Sequence, residues 1–194
     1  MLKEKLKNYK IILASGSPRR QQFFKDLDLD FEIRLKEVDE VYPNHLQGKE
    51  ITDYLAKLKS EAFTDDMQPN EIIVTSDTIV WLENKALGKP KDKDEAVQML
   101  QSMAGKTHEV ITSVCFKRMN KTDILNTVTK VTFNPISTEE IKYYIDHYQP
   151  FDKAGAYGIQ EWIGLMAIHK IEGSYTNVVG LPTDLVFNYL SNLK

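Results

Sequence analysis

The 194-residue chain predicts an α/β fold, a mixed sheet with flanking helices. Three features carry that expectation. The apolar run 11–14 breaks at Ser15-Gly16 and passes into a helix start at Ser17-Pro18, which is the sequence form of a strand-turn-helix unit. A second, strongly apolar run at 71–80 follows a helical stretch, so strands and helices alternate early in the chain. Later, the runs 107–116 and 127–133 face each other across a loop near Asn120, which suits an antiparallel pair.

The elements follow in order. Ser17 is a good N-cap, because its hydroxyl can accept from an N–H of the first turn, and Pro18 suits the first helical position. The helix 18–27 offers Phe23, Phe24 and Leu27 to the core. Phe31, Ile33 and Leu35 alternate with polar residues as in a half-buried strand. The acidic stretch Glu37-Val38-Asp39-Glu40 reads as a loop that ends at Pro43. Ile51, Tyr54, Leu55, Leu58 and Ala62 recur at helical spacing. Asn84-Lys85 suits a hairpin turn, and Gly88-Lys89-Pro90 a fixed turn before a helix over 92–103 that stops at Gly105. Ser137 and Glu140 form a capping box for a helix carrying Ile141, Tyr144, Ile145 and Tyr148. A loop over 151–160 precedes an apolar strand over 163–171. Residues 173–177 read as a turn, and a last helix from Pro182 buries Leu185, Val186, Tyr189 and Leu190.

No internal repeat, low-complexity tract or flexible linker interrupts the pattern. One folding unit over residues 1–194 is expected, with two lobes around a cleft and residues 1–9 as a peripheral N-terminal extension. A net charge of −3 offers no broad basic field, which argues against a nucleic acid polymer as partner. Any phosphate recognition must then come from a few placed groups. One cysteine, Cys115, excludes an internal disulfide framework. The charged N-terminal stretch lacks the apolar run of a signal peptide, and no run reaches membrane-spanning length. A cytoplasmic protein without membrane association is expected.

Five places could carry chemistry. The turn 15–20 gathers backbone N–H groups, two hydroxyls and two guanidiniums; it is either a phosphate-binding loop or an ordinary strand-to-helix connection. Asp77 interrupts an apolar run. Desolvation alone would protonate it, whereas a neighbouring cation or metal would make it a base or ligand; the alternative is a strand-end aspartate accepting backbone N–H bonds. The cluster Glu37, Asp39, Glu40 could give an oxygen ligand to Mg²⁺ or be merely solvated. Lys59 and Lys89 are candidate phosphate cations or plain surface lysines. The Gly-interleaved stretch Gly155-Ala156-Tyr157-Gly158-Ile159-Gln160 ends in an amide that can pair with a base edge, or it is a tight loop.

Other apparent motifs fail. Ala104-Gly105-Lys106-Thr107 resembles the end of a Walker A loop, but Leu100 stands where the earlier glycine is required. His45, His108, His147 and His169 have no metal-ligand spacing. Asn120-Lys121-Thr122 is a glycosylation sequon only in a secreted chain. No histidine near Ser15 or Ser17 suggests a nucleophilic triad.

Taken together, the stretches 13–20 (Leu-Ala-Ser-Gly-Ser-Pro-Arg-Arg), 76–80 (Ser-Asp-Thr-Ile-Val), 88–90, 105–108, 152–160 and 173–182 resemble the Maf family of nucleoside triphosphate pyrophosphatases, in family order from about Ile11 onward. The Asp26–Asp30 stretch and the Glu161-Trp162 pair read as locally variable rather than diagnostic. The resemblance implies an elongated fold similar to inosine triphosphate pyrophosphatases and a homodimer. It also implies divalent-metal-dependent (Mg²⁺ or Mn²⁺) hydrolysis of a nucleoside triphosphate to the monophosphate and diphosphate. It places the proton acceptor on Asp77, phosphate contacts on Ser15, Arg20, Lys59 and Lys89, and the metal on Glu40 and Asp77. The branch acting on dTTP and UTP carries Arg, Thr and Gln at three specificity positions, which fall on Arg19, Thr78 and Gln160. Two alternatives stand beside this reading: a nucleotide-binding regulatory module in septum formation, and a pyrophosphatase for 7-methyl-GTP.

Overall fold

The computed structural model describes residues 2–193. Among these residues, seven strands make one mixed sheet: β1 (Lys10–Leu13), β2 (Phe31–Ile33), β3 (Glu71–Leu82), β4 (Lys85–Leu87), β5 (Thr107–Arg118), β6 (Lys121–Phe133) and β7 (Ile168–Glu172). Their order is β2-β1-β3-β5-β6-β7, with β4 paired on β3. β1 runs parallel to both β2 and β3, as strand-helix-strand crossovers require. β4 and β7 pair antiparallel with β3 and β6. The helices are α1 (Leu2–Leu6), α2 (Pro18–Asp26), α3 (Lys49–Glu61), α4 (Lys93–Met103), α5 (Thr138–Tyr148), α6 (Trp162–Ala167), α7 (Tyr175–Val179) and α8 (Thr183–Ser191).

The chain groups into two compact units, and β3, β5 and β6 each contribute residues to both. Among the described residues, the first comprises 2–77, 112–127 and 180–193. Its β1 and β3 are apolar on both faces, the pattern of strands covered on each side. Ile11, Leu13, Ile72 and Val74 point to a core shared with Phe24, Phe116, Val186 and Leu190. Ile12 and Ile73 point the other way, to Phe63 and Met67. Asp77 lies an even number of residues from Ile73, so strand alternation puts it on the face that α3 covers. The second unit comprises residues 78–111 and 128–179, with a core of Val80, Leu100, Phe133, Tyr144, Ile145 and Tyr157 among others.

Local rules account for most element boundaries. Ser17 caps α2, Asp92 caps α4, and Ser137 with Glu140 closes a full capping box on α5. The β3–β4 hairpin turns on Glu83 and Asn84, both at positive φ, one residue earlier than expected. β5 and β6 are longer than their apolar cores and are linked by two residues only, a connection that antiparallel strands alone allow.

Four expectations are corrected. Residues 163–171 are not one strand: Ile163 and Ala167 are buried four residues apart while Leu165 is 85% exposed, which is helical periodicity, so α6 precedes a shorter β7. Residues 175–179 form a helix rather than a turn, held by the fully buried Asn177, whose amide donates to the Val110 carbonyl and the Thr129 hydroxyl. β2 ends at Ile33, and Leu35 is exposed beyond it. The N-terminal stretch is not wholly peripheral either, for Leu2 and Leu6 are buried in the first core and Lys5 donates to the Ser191 carbonyl; Met1 lies outside the described residues.

Candidate functional site

The turn after β1 is shaped by its own polar groups. The Ser17 N–H donates to the Ser15 hydroxyl at 3.3 Å, the Ser17 hydroxyl accepts from the Arg20 N–H, and Gln21 donates its amide to the Ser15 carbonyl at 3.1 Å. Ser15 is buried and Arg19 half-buried. Arg20 reaches back across the sheet. Its Nε donates to the Gly180 carbonyl and its Nη1 to the Ser76 carbonyl, each at 2.9 Å. Part of its fork therefore holds α2 against β3 and the segment leading into α8. Burial lowers the Arg20 pKa, and Asp77 opposes that shift.

Asp77 sits inside β3, not at its end, and is 6% exposed. Its partner is an ammonium: Lys59 Nζ lies 2.6 Å from Asp77 Oδ1. Lys59 comes from the last turn of α3 and also pairs with Glu40 at 3.1 Å. Two carboxylates thus converge on one cation. All three acids of the loop cluster, Glu37, Asp39 and Glu40, are exposed, and Glu40 joins this centre through its pair with Lys59. Burial pushes the Asp77 carboxyl above the usual range. Lys59 and Arg20 pull it back, and Glu40 adds to the rise. Such a carboxylate is hungry for positive charge.

Among the described residues, no group of three or more His, Cys, Asp and Glu side chains could cage a metal by itself. The Glu40–Asp77 pair still fits Mg²⁺ or Mn²⁺ chemistry. Such ions take one or two protein carboxylates and fill the remaining positions with water and substrate phosphate oxygens. Two oxygens that already share one ammonium are a donor set of that kind.

Thr78, Lys89 and Gln160 belong to the second unit. Thr78 is half-buried in β3, while Lys89 and Gln160 are exposed. The loop leading to Gln160 is tied down at many points. The Gly155 N–H donates to the Gly88 carbonyl at 2.9 Å, which joins this loop to the Lys89 turn. Gly155 has φ +68°, and a Cβ there would stand 2.7 Å from Val80 Cγ2, so both conformation and space call for glycine. Lys153 is nearly buried and pairs with Asp152 at 2.7 Å and Glu161 at 3.0 Å. Tyr144 donates to Glu161 and accepts from the Gly158 N–H at 3.0 Å. His108 Nε2 lies 2.7 Å from the Tyr157 hydroxyl, and both rings pack edge-on against Phe133. Burial lowers the His108 pKa to about 4, so the imidazole is neutral near pH 7.

The fold brings Ser15, Arg20, Glu40, Lys59 and Asp77 into one unit and ties the Lys89 turn to the Gln160 loop in the other. Sequence reasoning missed Gly180 and Ser76 as the acceptors that hold Arg20, and Tyr144 and Glu161 as the frame of the Gln160 loop. Glu161 had read as locally variable. Its ion pair with Lys153 closes a segment of short turns that belongs to no regular helix or strand, so no periodic signal marked it. The Walker-like Ala104–Thr107 stretch leads out of α4 into β5 through Gly105 at φ +69°. A cavity of about 650 Å³ elsewhere in the first unit, lined in part by Arg118, Leu125, Asp184 and Tyr189, contains none of the expected site residues.

A sequence model described as "Maf-like protein" matches residues 10–193. The chain is 67% identical to the dTTP/UTP pyrophosphatase of Flavobacterium psychrophilum over 192 residues, 99% of this chain and 98% of that one. It is 58% identical to the dTTP/UTP pyrophosphatase of Christiangramia forsetii, covering 100% and 98%, and 47% identical to that of Bacteroides thetaiotaomicron, covering 97% and 98%. Among solved structures, the Staphylococcus aureus Ham1 protein is similar with a TM-score of 0.57 at 15% identity, covering 95% of this chain and 100% of that one. A HAM1 protein from Coxiella burnetii is similar with a TM-score of 0.52 at 13% identity and the same coverage. At those identities the likeness is one of fold.

Proposed function

The chain belongs to the Maf family, and from that premise we propose that it is a dTTP/UTP pyrophosphatase, hydrolysing each nucleotide to its monophosphate and diphosphate. The observation that carries the reading is the full-length similarity to relatives bearing that activity. The buried Asp77–Lys59 pair supports the chemistry, since it supplies a desolvated base and a cation at one point.

In the proposed mechanism Asp77 holds a water and accepts its proton as the water attacks the α-phosphorus in line with the leaving diphosphate. Lys59 keeps Asp77 ionised before attack, against the burial that would protonate it. Once substrate is bound, the charge of Lys59, Arg20 and Lys89 offsets that of the phosphates, and the Ser15 turn offers N–H groups beside them. A divalent cation bound by Glu40 and Asp77 would neutralise developing charge on the triphosphate. Arg19, Thr78 and Gln160 select the base. The exposed Gln160 amide, on a loop that several bonds hold still, offers both donor and acceptor to a pyrimidine edge. A purine would leave such groups unpaired, which discriminates strongly. In this reading the protein is cytoplasmic, its single cysteine free of any internal disulfide, and works as a homodimer.

Turnover of dTTP in oxygen-18-labelled water tests the reaction. The label is expected in the nucleoside monophosphate, with diphosphate as the other product. Release of orthophosphate, or label in the diphosphate, would mean that water attacks elsewhere.

A further inference from the structure

The contact between α3 and the sheet is made largely of small and polar groups. Thr52, Ala56 and Ser60 lie four residues apart along α3, so they form one stripe, and each is fully buried. Opposite them are Thr75 of β3 and Ser113 and Cys115 of β5, also fully buried. Directed bonds run along this seam. Thr52 Oγ1 and Ser113 Oγ are 2.6 Å apart, and Ser113 donates to Asp53 Oδ1 at 2.6 Å. Asn126 of β6 donates to both Asp53 oxygens, at 3.1 and 3.2 Å. The Cys115 thiol donates to Ser60 Oγ at 3.3 Å. The Thr75 hydroxyl donates to the Ala56 carbonyl at 2.6 Å. Apolar packing is non-directional and tolerates sliding, whereas hydrogen bonds between buried groups fix one register, because each bond lost leaves an unsatisfied polar atom.

One of these ties sits beside the proposed site. Thr75 and Asp77 are two residues apart on one face of β3, and Ala56 and Lys59 are three apart on α3. The Thr75–Ala56 bond and the Lys59–Asp77 pair are therefore neighbouring rungs between the same two elements. We infer that Thr75 is a positioning residue: its hydroxyl sets the register of α3 on β3, and so the place of Lys59 against Asp77. The inference rests on the roles given above to Asp77 and Lys59. It concerns geometry, so a misplaced α3 loses rate with little change in substrate capture.

The test compares Thr75→Val, which keeps the shape and removes the bond, with Thr75→Ser, which keeps the bond. In Thr75→Val, kcat for dTTP is expected to fall roughly 10- to 100-fold with KM little changed, and in Thr75→Ser it is expected to recover most of that loss. Thr75→Ala replaces the valine variant if the latter does not fold. A second readout needs no substrate. The urea midpoint shifts of Thr75→Val and Lys59→Met are expected to be non-additive, because the two rungs share both elements. Unchanged kcat in a folded Thr75→Val, or additive midpoint shifts, would overturn the inference. If the unmodified protein releases no diphosphate from dTTP, the functional reading fails by itself, and the unfolding cycle still decides the role of Thr75.

Discussion

Asp77 carries an unusual load for a strand residue. Its carboxyl is buried in mid-strand and depends on Lys59 to stay charged. Asp77→Asn is expected to reduce turnover by about 10²- to 10⁴-fold in a folded protein, read by diphosphate release. The acid limb of the rate profile should have its midpoint above the usual carboxylate range, since burial raises this pKa and the base must be ionised. In Lys59→Met that limb should move further toward neutral pH, because the cation that opposes burial is gone. Stability has the opposite sign. A carboxyl whose folded pKa lies above its unfolded value stabilises below the unfolded pKa, and that contribution is lost as pH rises through the folded one. The melting temperature of Asp77→Asn relative to the unmodified protein should therefore climb from acid to neutral pH. His108 behaves differently. With its pKa lowered from 6.5 to about 4, its stabilising contribution is present above 6.5 and is lost as pH falls through about 4. His108→Gln should flatten that acid loss in thermal melts.

At the scale of elements, the Gln160 loop is rigid because of what surrounds it. Gly155 requires positive φ and lies against Val80, so Gly155→Ala should cost about 1–3 kcal/mol, read as a lower melting temperature. Val80→Ala should restore part of that loss by clearing the contact, though not the strain in φ. The sequence showed where most elements stand when a local rule governed them. The Ser137–Glu140 box, the Asp92 cap and the Ser17-Pro18 start each declare a helix within four residues. It failed at α6, where an apolar run of nine residues held a helix and a strand that periodicity could not separate. It failed again at α7, because the reason for that helix is Asn177 bonding to residues 67 and 48 positions away. In the candidate site, Asp77, Glu40 and Lys59 were legible one by one. Their convergence was not, since it needs α3 laid across β3.

For the whole molecule, two compact units divide the proposed work. The first holds the base, its ammonium and the guanidinium of Arg20; the second holds Thr78, the Lys89 turn and the Gln160 loop. The proposed substrate is a pyrimidine nucleoside triphosphate. The most direct test is diphosphate release from dTTP, UTP, CTP, GTP and 7-methyl-GTP, with Mg²⁺, with Mn²⁺ and with chelator, for the unmodified protein and for Asp77→Asn. Metal-dependent release led by dTTP and UTP is expected, abolished or nearly so in the variant. Preference for 7-methyl-GTP, or full release by Asp77→Asn, would contradict that expectation.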